Sequence, residues 1–284
     1  MEEYPSMERL RPRCLSDLIR LGGEGDGGYV VNETAIRLSR YLLSFGVNID
    51  WSFELEFLNR NPNVTMFCFD PTVSKHIFLK KTLNAVNDVL NLKFAAFLCS
   101  FNLPKVRRKI SEIGEWAKIY KGFSQFLAKD SVHFYATGIS NEHAGSFITF
   151  GEALQLVSPK EIPENSVFVK MDIELSEFRV LPDLLQYQKY VNAMVIEFHD
   201  LDILWTKFAE LTERLKTNFE ITHIHGNNYG GLIPQSRTPK VLEITFLKKS
   251  LIKESGPGLN GVTYPLSLLD FPNNPEERDY PLIF

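Results

Sequence analysis

The sequence predicts an α/β domain built on a mostly parallel sheet with helices on both faces. Three observations predict it. Short apolar runs of strand character alternate with segments whose apolar residues recur at helical spacing. Nearly every such run ends in a glycine or a polar residue. The chain has 284 residues, 44% hydrophobic and 23% charged, which is enough for one large core, so residues 1–284 read as a single domain.

Residues 1–40 read as an N-terminal cover segment, in which the glycine cluster from Gly22 to Gly28 must turn before a short β-rich run at Tyr29 to Val31. Tyr41 to Phe45 (YLLSF) is a strand closed by Gly46, and Trp51, Leu55 and Leu58 follow at helical spacing. Trp51, Phe53 and Phe57 are expected in the core. Val64 to Phe69 (VTMFCF) is a second strand that stops at Asp70-Pro71, and Ile77, Leu79, Leu83, Val86 and Leu90 outline a helix over 73–90. Two strand-helix units in succession predict parallel strands, because a parallel pair needs a crossover connection. Residues 92–130 lose the period and read as a helical connection, insertion or lid. Val132 to Ala136 restores it, and a helix is expected over Phe147 to Val157, stopped by Pro159 and Pro163. Val167 to Met171 runs into Asp172 and a helix over Ser176 to Gln186. Ala193 to Phe198 runs into His199 and a helix over Leu204 to Thr217. Phe219 to His225 and Val241 to Lys248 are the last strands, and the Pro-, Gly- and Asn-rich residues 256–284 read as irregular surface chain.

Composition excludes several classes. With 31 basic against 35 acidic side chains the net charge is -4, which argues against nucleic acid as a partner, since phosphate backbones call for a basic surface. No stretch approaches the roughly 20 apolar residues that span a bilayer, so no membrane partner and a cytoplasmic location are expected. Cys14, Cys68 and Cys99 lack zinc-ligand spacing and are an odd number, which suits a reducing compartment.

The functional signal is positional. Gly46 and Asp50, Asp70, Gly138, Asp172 and Glu174, His199 and His225 all fall just beyond the carboxyl end of an expected strand. In an open parallel sheet, ligands bind along that edge. Gly23, Gly25 and Gly28 match GxGxxG, yet they precede a β-like run, whereas a pyrophosphate site needs a strand before the glycines and a helix after them. The turn from Ser44 to Asp50 has one glycine only, so a cofactor without phosphates is favoured there. Asp70 either caps the following turn or accepts hydrogen bonds from both hydroxyls of a ribose. A nucleoside without a phosphate chain, bound across the first two strands, describes S-adenosylmethionine.

Six segments carry a family resemblance: SFGVNIDWSFE (44–54), FDPT (69–72), GIS (138–140), KMDIELSEF (170–178), VIEFHD (195–200) and HIHGNNYGG (223–231). Together with DGGYV (26–30), they resemble the FkbM-type methyltransferases, in the branch similar to methyltransferase-like protein 24. The resemblance implies the class I methyltransferase, Rossmann-like fold, a seven-stranded sheet with one antiparallel strand. It also implies S-adenosylmethionine as cofactor and methyl transfer to a hydroxyl of a small molecule such as a sugar or secondary metabolite. Carried onto this sequence, it assigns Ser44, Phe45, Gly46, Asp50, Asp70, Pro71, Gly138, Ile139 and Asp172 to the cofactor. Two positions depart from the family: Leu175 stands where a glycine is usual, and Ser44 stands where many methyltransferases carry an acid.

Methyl transfer to oxygen requires the acceptor's proton to be removed. His199 is the expected base, because an imidazole titrates at about 6.5, with Asp172 as its partner or as the base itself. The alternative for His199 is a turn cap. Glu174, His225, Asn227 and Asn228 are expected toward the acceptor, the asparagines being equally explained as turn residues. His223 and His225 share a strand face and, with His199, Asp172 and Glu174, form a candidate divalent-metal set. That reading is not favoured, since His-x-His is more often two hydrogen-bonded polar residues, and no metal ligand is assigned. Asp26 to Tyr29 is a cofactor cover or a tight turn, and Lys105 to Lys109 is the solvated side of a helix or an attractor for an acidic acceptor. Two rival functions remain: an NAD(P)-dependent oxidoreductase, and a non-catalytic binding protein that Leu175 and Ser44 would motivate.

Overall fold

The computed structural model describes residues 7–99, 103–158, 161–174, 176–253 and 263–284, and the side chains of all these except 92–99 and 103–106. Leu175 and Pro159 lie outside the described residues, as do the side chains of Cys99 and Lys105.

In chain order, β1 (Leu18–Leu21) and β2 (Tyr29–Asn32) form an antiparallel hairpin, followed by α1 (Glu33–Leu38). Then come β3 (Tyr41–Phe45), α2 (Ser52–Arg60), β4 (Thr65–Phe69), α3 (Lys75–Cys99), α4 (Leu103–Phe126) and β5 (Val132–Tyr135). A two-residue pair, β6 (Gly138–Ile139) and β7 (Phe147–Ile148), precedes α5 (Phe150–Val157). The chain continues with β8 (Val167–Met171), α6 (Glu177–Leu184), β9 (Val191–Phe198), α7 (Leu201–Leu215), β10 (Phe219–Gly226) and β11 (Leu242–Lys248).

Seven strands form the central sheet, in the order β10-β11-β9-β8-β3-β4-β5. Only β11 runs antiparallel, pairing with β9 on one side and β10 on the other. Numbered by appearance within this sheet, the order is 3-2-1-4-5-7-6, which is the class I methyltransferase, Rossmann-like arrangement. The dinucleotide-binding sheet is 3-2-1-4-5-6, with no antiparallel insertion.

The strands are apolar throughout because both faces are covered. Neighbouring residues point to opposite sides, so Leu43, Val169 and Ile196 pack under α5, α6 and α7 through Phe150, Phe178 and Phe208. Leu42, Phe168 and Val195 pack under α1, α2 and the α3-α4 pair through Ile36, Phe57, Phe78 and Phe123. Phe53 and Phe57 are buried as expected, and Trp51 stacks on Phe126.

Three differences from the sequence expectations have local causes. Residues 92–130 hold the end of α3 and all of α4, two long helices that pack on each other. The helix expected from Phe147 begins at Phe150, because Thr149 and Glu152 form a reciprocal capping box. The C-terminal residues are irregular but not confined to the surface: Tyr264, Asp270, Asn273 and Leu282 are buried, and Asp270 and Asp279 bond to histidines of β10. Among the described residues, no helix is long and apolar enough to cross a membrane.

Candidate functional site

The carboxyl ends of β3, β4 and β8 open onto a cleft of about 320 Å³ walled by Gly46, Asn48, Asp70, Gly138, Asp172 and Glu174. That is at the small end of the roughly 300–1,000 Å³ typical of small-molecule sites. Gly46 has φ +81°, and a Cβ there would lie 1.7 Å from the carbonyl oxygen of Asp172. Only glycine lets the loops after β3 and β8 meet back to back. Asn48, Glu174 and Asp200 also adopt left-handed backbone without being glycine, one after each of β3, β8 and β9. Such residues cost on the order of 1–3 kcal/mol each and concentrate at functional sites.

Asp70 is 3% exposed. One carboxylate oxygen accepts the Asn48 N–H at 2.7 Å, and the other accepts the N–H and hydroxyl of Thr72 at 2.7 and 2.6 Å. A carboxylate offers about four acceptor positions, so Asp70 braces its turn and keeps one of them open, not the two that both hydroxyls of a ribose would take. Pro71 and Ile139 also line the cleft. Ser44, Phe45 and Asp50 do not. The Ser44 hydroxyl donates to buried Glu54, Phe45 stacks on Phe69, and exposed Asp50 accepts the Ser52 N–H.

The GxGxxG segment is the turn of the β1-β2 hairpin. Its carbonyls, not its amides, converge: Arg20 donates to the carbonyls of Gly23 and Gly25 at 2.9 and 2.8 Å. A loop presenting oxygens to a guanidinium does not cradle phosphate. Asp26 to Tyr29 passes beside Asp50, where a Cβ on Gly27 would be 3.2 Å from the carboxylate.

Tyr29 reaches the cleft wall at Asp172. Its hydroxyl is 3.1 Å from both Asp172 Oδ2 and Glu197 Oε2. One hydroxyl has one hydrogen, so one of the two contacts calls for a protonated carboxyl. Burial, reinforced by the charges of Asp172 and Glu243, pushes Glu197 well above the usual carboxylate range. His199 binds through Nδ1 to fully buried Glu177. Burial alone would lower its pKa, but Glu177, Glu197 and Asp172 outweigh that and push it up to about 9. At neutral pH His199 is therefore an imidazolium, not the free base its ordinary value suggests. Asp172, Glu174 and His199 offer ligand atoms all within 4.8 Å of one another.

His223 and His225 stand apart from this trio. His223 pairs with Asp270, and His225 bonds through its two ring nitrogens to Glu243 and Asp279. Asn227 donates to Glu197 at 2.8 Å, and Asn228 holds the C-terminal segment through Asn274. None of His225, Asn227 and Asn228 lines the cleft, and His199 is not in its wall either but lies beside Asp172 and Glu174, which are.

The residues that sequence reasoning missed are the buried acids and their partners: Glu54 with Lys170, and Glu177 and Glu197 around His199. The available signal was a charge inside an otherwise apolar run, as in VIEF and VFVKM.

No protein-family model matches the chain, and no curated protein matches it. Among solved structures, the chain is similar to a precorrin-6y C5,15-methyltransferase from Geobacter metallireducens GS-15, at TM-score 0.35 and 13% identity over 76% of this chain and 86% of that one. It is also similar to a dimethyladenosine transferase from Plasmodium falciparum, at TM-score 0.34 and 10% identity over 77% of this chain and 60% of that one.

Proposed function

We propose that the chain is an S-adenosylmethionine-dependent O-methyltransferase that acts on a hydroxyl of a small molecule, of the sugar or secondary-metabolite class that the FkbM resemblance implies. The observation that carries this reading is the turn after β3, where Gly46 is pressed against the Asp172 carbonyl beside Asp70 and no glycine-lined cradle for a pyrophosphate is present among the described residues. The antiparallel β11 supports it further, since the dinucleotide-binding sheet lacks that insertion. Both features weigh against an NAD(P) oxidoreductase.

S-adenosylmethionine, when bound, supplies an electrophilic methyl group. Gly46 and Asn48 would hold it along the loop after β3, Asp70 would take one ribose hydroxyl, and Gly138, Ile139 and Pro71 would wall the base. Asp172 stands at the acceptor end. With His199 held positive by Glu177, Asp172 accepts the proton of the acceptor hydroxyl and His199 steadies the resulting charge. Asp172 thus takes the second of the two roles that its position suggests, and His199 becomes the charged partner in place of the base.

Thermal shift with S-adenosylhomocysteine and with NAD separates the two cofactor readings: a rise in Tm with the first alone supports the proposal. A screen of hydroxylated small molecules with labelled S-adenosylmethionine then separates an enzyme from a binding protein. Full transfer by both Asp172→Ala and His199→Ala would remove these two residues from the chemistry.

A further inference from the structure

We infer that Asp172, Glu174 and His199 form a binding site for a divalent cation of the Mn²⁺ type at the acceptor end of the cleft. Their ligand atoms lie within 4.8 Å of one another, two carboxylate oxygens and one imidazole nitrogen. This mixed oxygen and nitrogen set suits a first-row divalent ion better than an all-oxygen cage would. It is narrower than the five-residue set that spacing suggests, because His223 and His225 are committed to Asp270, Glu243 and Asp279.

A second observation, independent of that clustering, is how His199 is oriented. Nδ1 is held by the fully buried carboxylate of Glu177. Nε2 therefore faces Glu174 and Glu197, at 3.8 and 3.7 Å, too far for hydrogen bonds. A carboxylate on one imidazole nitrogen with the other left for a ligand is how metal-binding histidines are fixed. Charge balance points the same way. Three carboxylates, Asp172, Glu174 and Glu177, gather around one imidazole, with the buried carboxyl of Glu197 beside them. The buried ammonium of Lys170 bonds to the Gly46 carbonyl and pairs with Glu54, and it forms no ion pair with the trio. A cation bound by this trio relieves the crowding, and its binding displaces the Nε2 proton to solvent.

Three protein ligands leave coordination positions on the ion toward the cleft, where an acceptor with oxygen donors completes the shell. If the methyl-transfer reading holds, the ion takes over the positive role of His199 and lowers the pKa of the bound hydroxyl. Cation binding itself does not depend on that reading.

The test uses the full chain, stripped with EDTA and titrated with Mn²⁺ while free Mn²⁺ is followed by electron paramagnetic resonance, without cofactor or acceptor. One ion per chain is expected. Binding weakens at least tenfold in His199→Ala and in Glu174→Gln, the latter a safe variant because that side chain is 85% exposed. Glu177→Gln, which loosens the ring without removing a ligand, weakens it about tenfold. Mn²⁺ left wholly free at millimolar concentration, or variants that bind like the parent chain, would overturn the site. S-adenosylhomocysteine binding, measured separately without metal, tells failure of the ion site from failure of the methyltransferase reading.

Discussion

The ammonium of Lys170 donates to the main-chain carbonyl of Gly46 at 2.8 Å, tying the strand β8 to the turn that forms the floor of the cleft. Lys170 is itself buried, with Glu54 at 3.7 Å as its nearest carboxylate. Glu54 also receives the Ser44 hydroxyl, so the position where many methyltransferases carry an acid is occupied by a serine leaning on an acid ten residues later.

Lys170→Met leaves Glu54 as an uncompensated buried charge, and the expected loss of stability is about 3–5 kcal/mol. Adding Glu54→Gln removes that charge, and the double variant recovers most of the loss. Urea unfolding of the two variants checks this. Equal losses in both would mean that the pairing is not the cause.

Glycine is required at one position and dispensable at another. Gly46→Ala meets both a left-handed backbone and the Asp172 carbonyl, so a loss on the order of 3 kcal/mol is expected. Gly114, inside α4 with nothing within 4 Å of a new Cβ, behaves oppositely. Gly114→Ala should gain about 0.5–1 kcal/mol through helix propensity. Calorimetric Tm values of opposite sign are the result to look for.

His225 makes stability pH-dependent. Burial favours its neutral form, but hydrogen bonds to Asp279 and Glu243, with the charge of Asp270 beyond, push its pKa up to about 10. The folded value is above the unfolded one of about 6.5, so the stabilisation is complete below about pH 6.5 and is lost as pH rises toward 10. His225→Gln should flatten the fall in Tm across that window relative to the parent chain. Parallel curves for the two proteins would contradict the assignment.

Much of the sheet is legible in the sequence because strands covered on both faces read as unbroken apolar runs: YLLSF, VFVKM and AMVIEF mark β3, β8 and β9 nearly to the residue. The helical pair α3-α4 is not, because the apolar period blurs after Leu90: in α4, Ile113, Trp116 and Tyr120 are only half-buried, and Gly114, Glu115, Ala117 and Lys118 are interleaved with them. Asp70, Asp172 and His199 are legible as strand-end polar residues. Their partners are not, because contacts such as His199 to Glu177 or Tyr29 to Asp172 join separate elements that no local spacing relates. Ser44 and Asp50 show the converse limit: both flank a turn that walls the cleft, yet one side chain turns into the core and the other out to solvent.

Asp70 is where the cofactor assignment is most exposed to test. Asp70→Asn keeps the acceptor for Thr72 but loses charge and one accepting oxygen, so cofactor affinity should fall about tenfold or more, with a smaller loss of stability.

Isothermal titration of the full chain with S-adenosylhomocysteine tests the central claim most directly. One molecule per chain, bound at micromolar affinity and weakened at least tenfold by Asp70→Asn, is the expected result. No heat of binding at millimolar ligand, or binding that Asp70→Asn leaves unchanged, would contradict it.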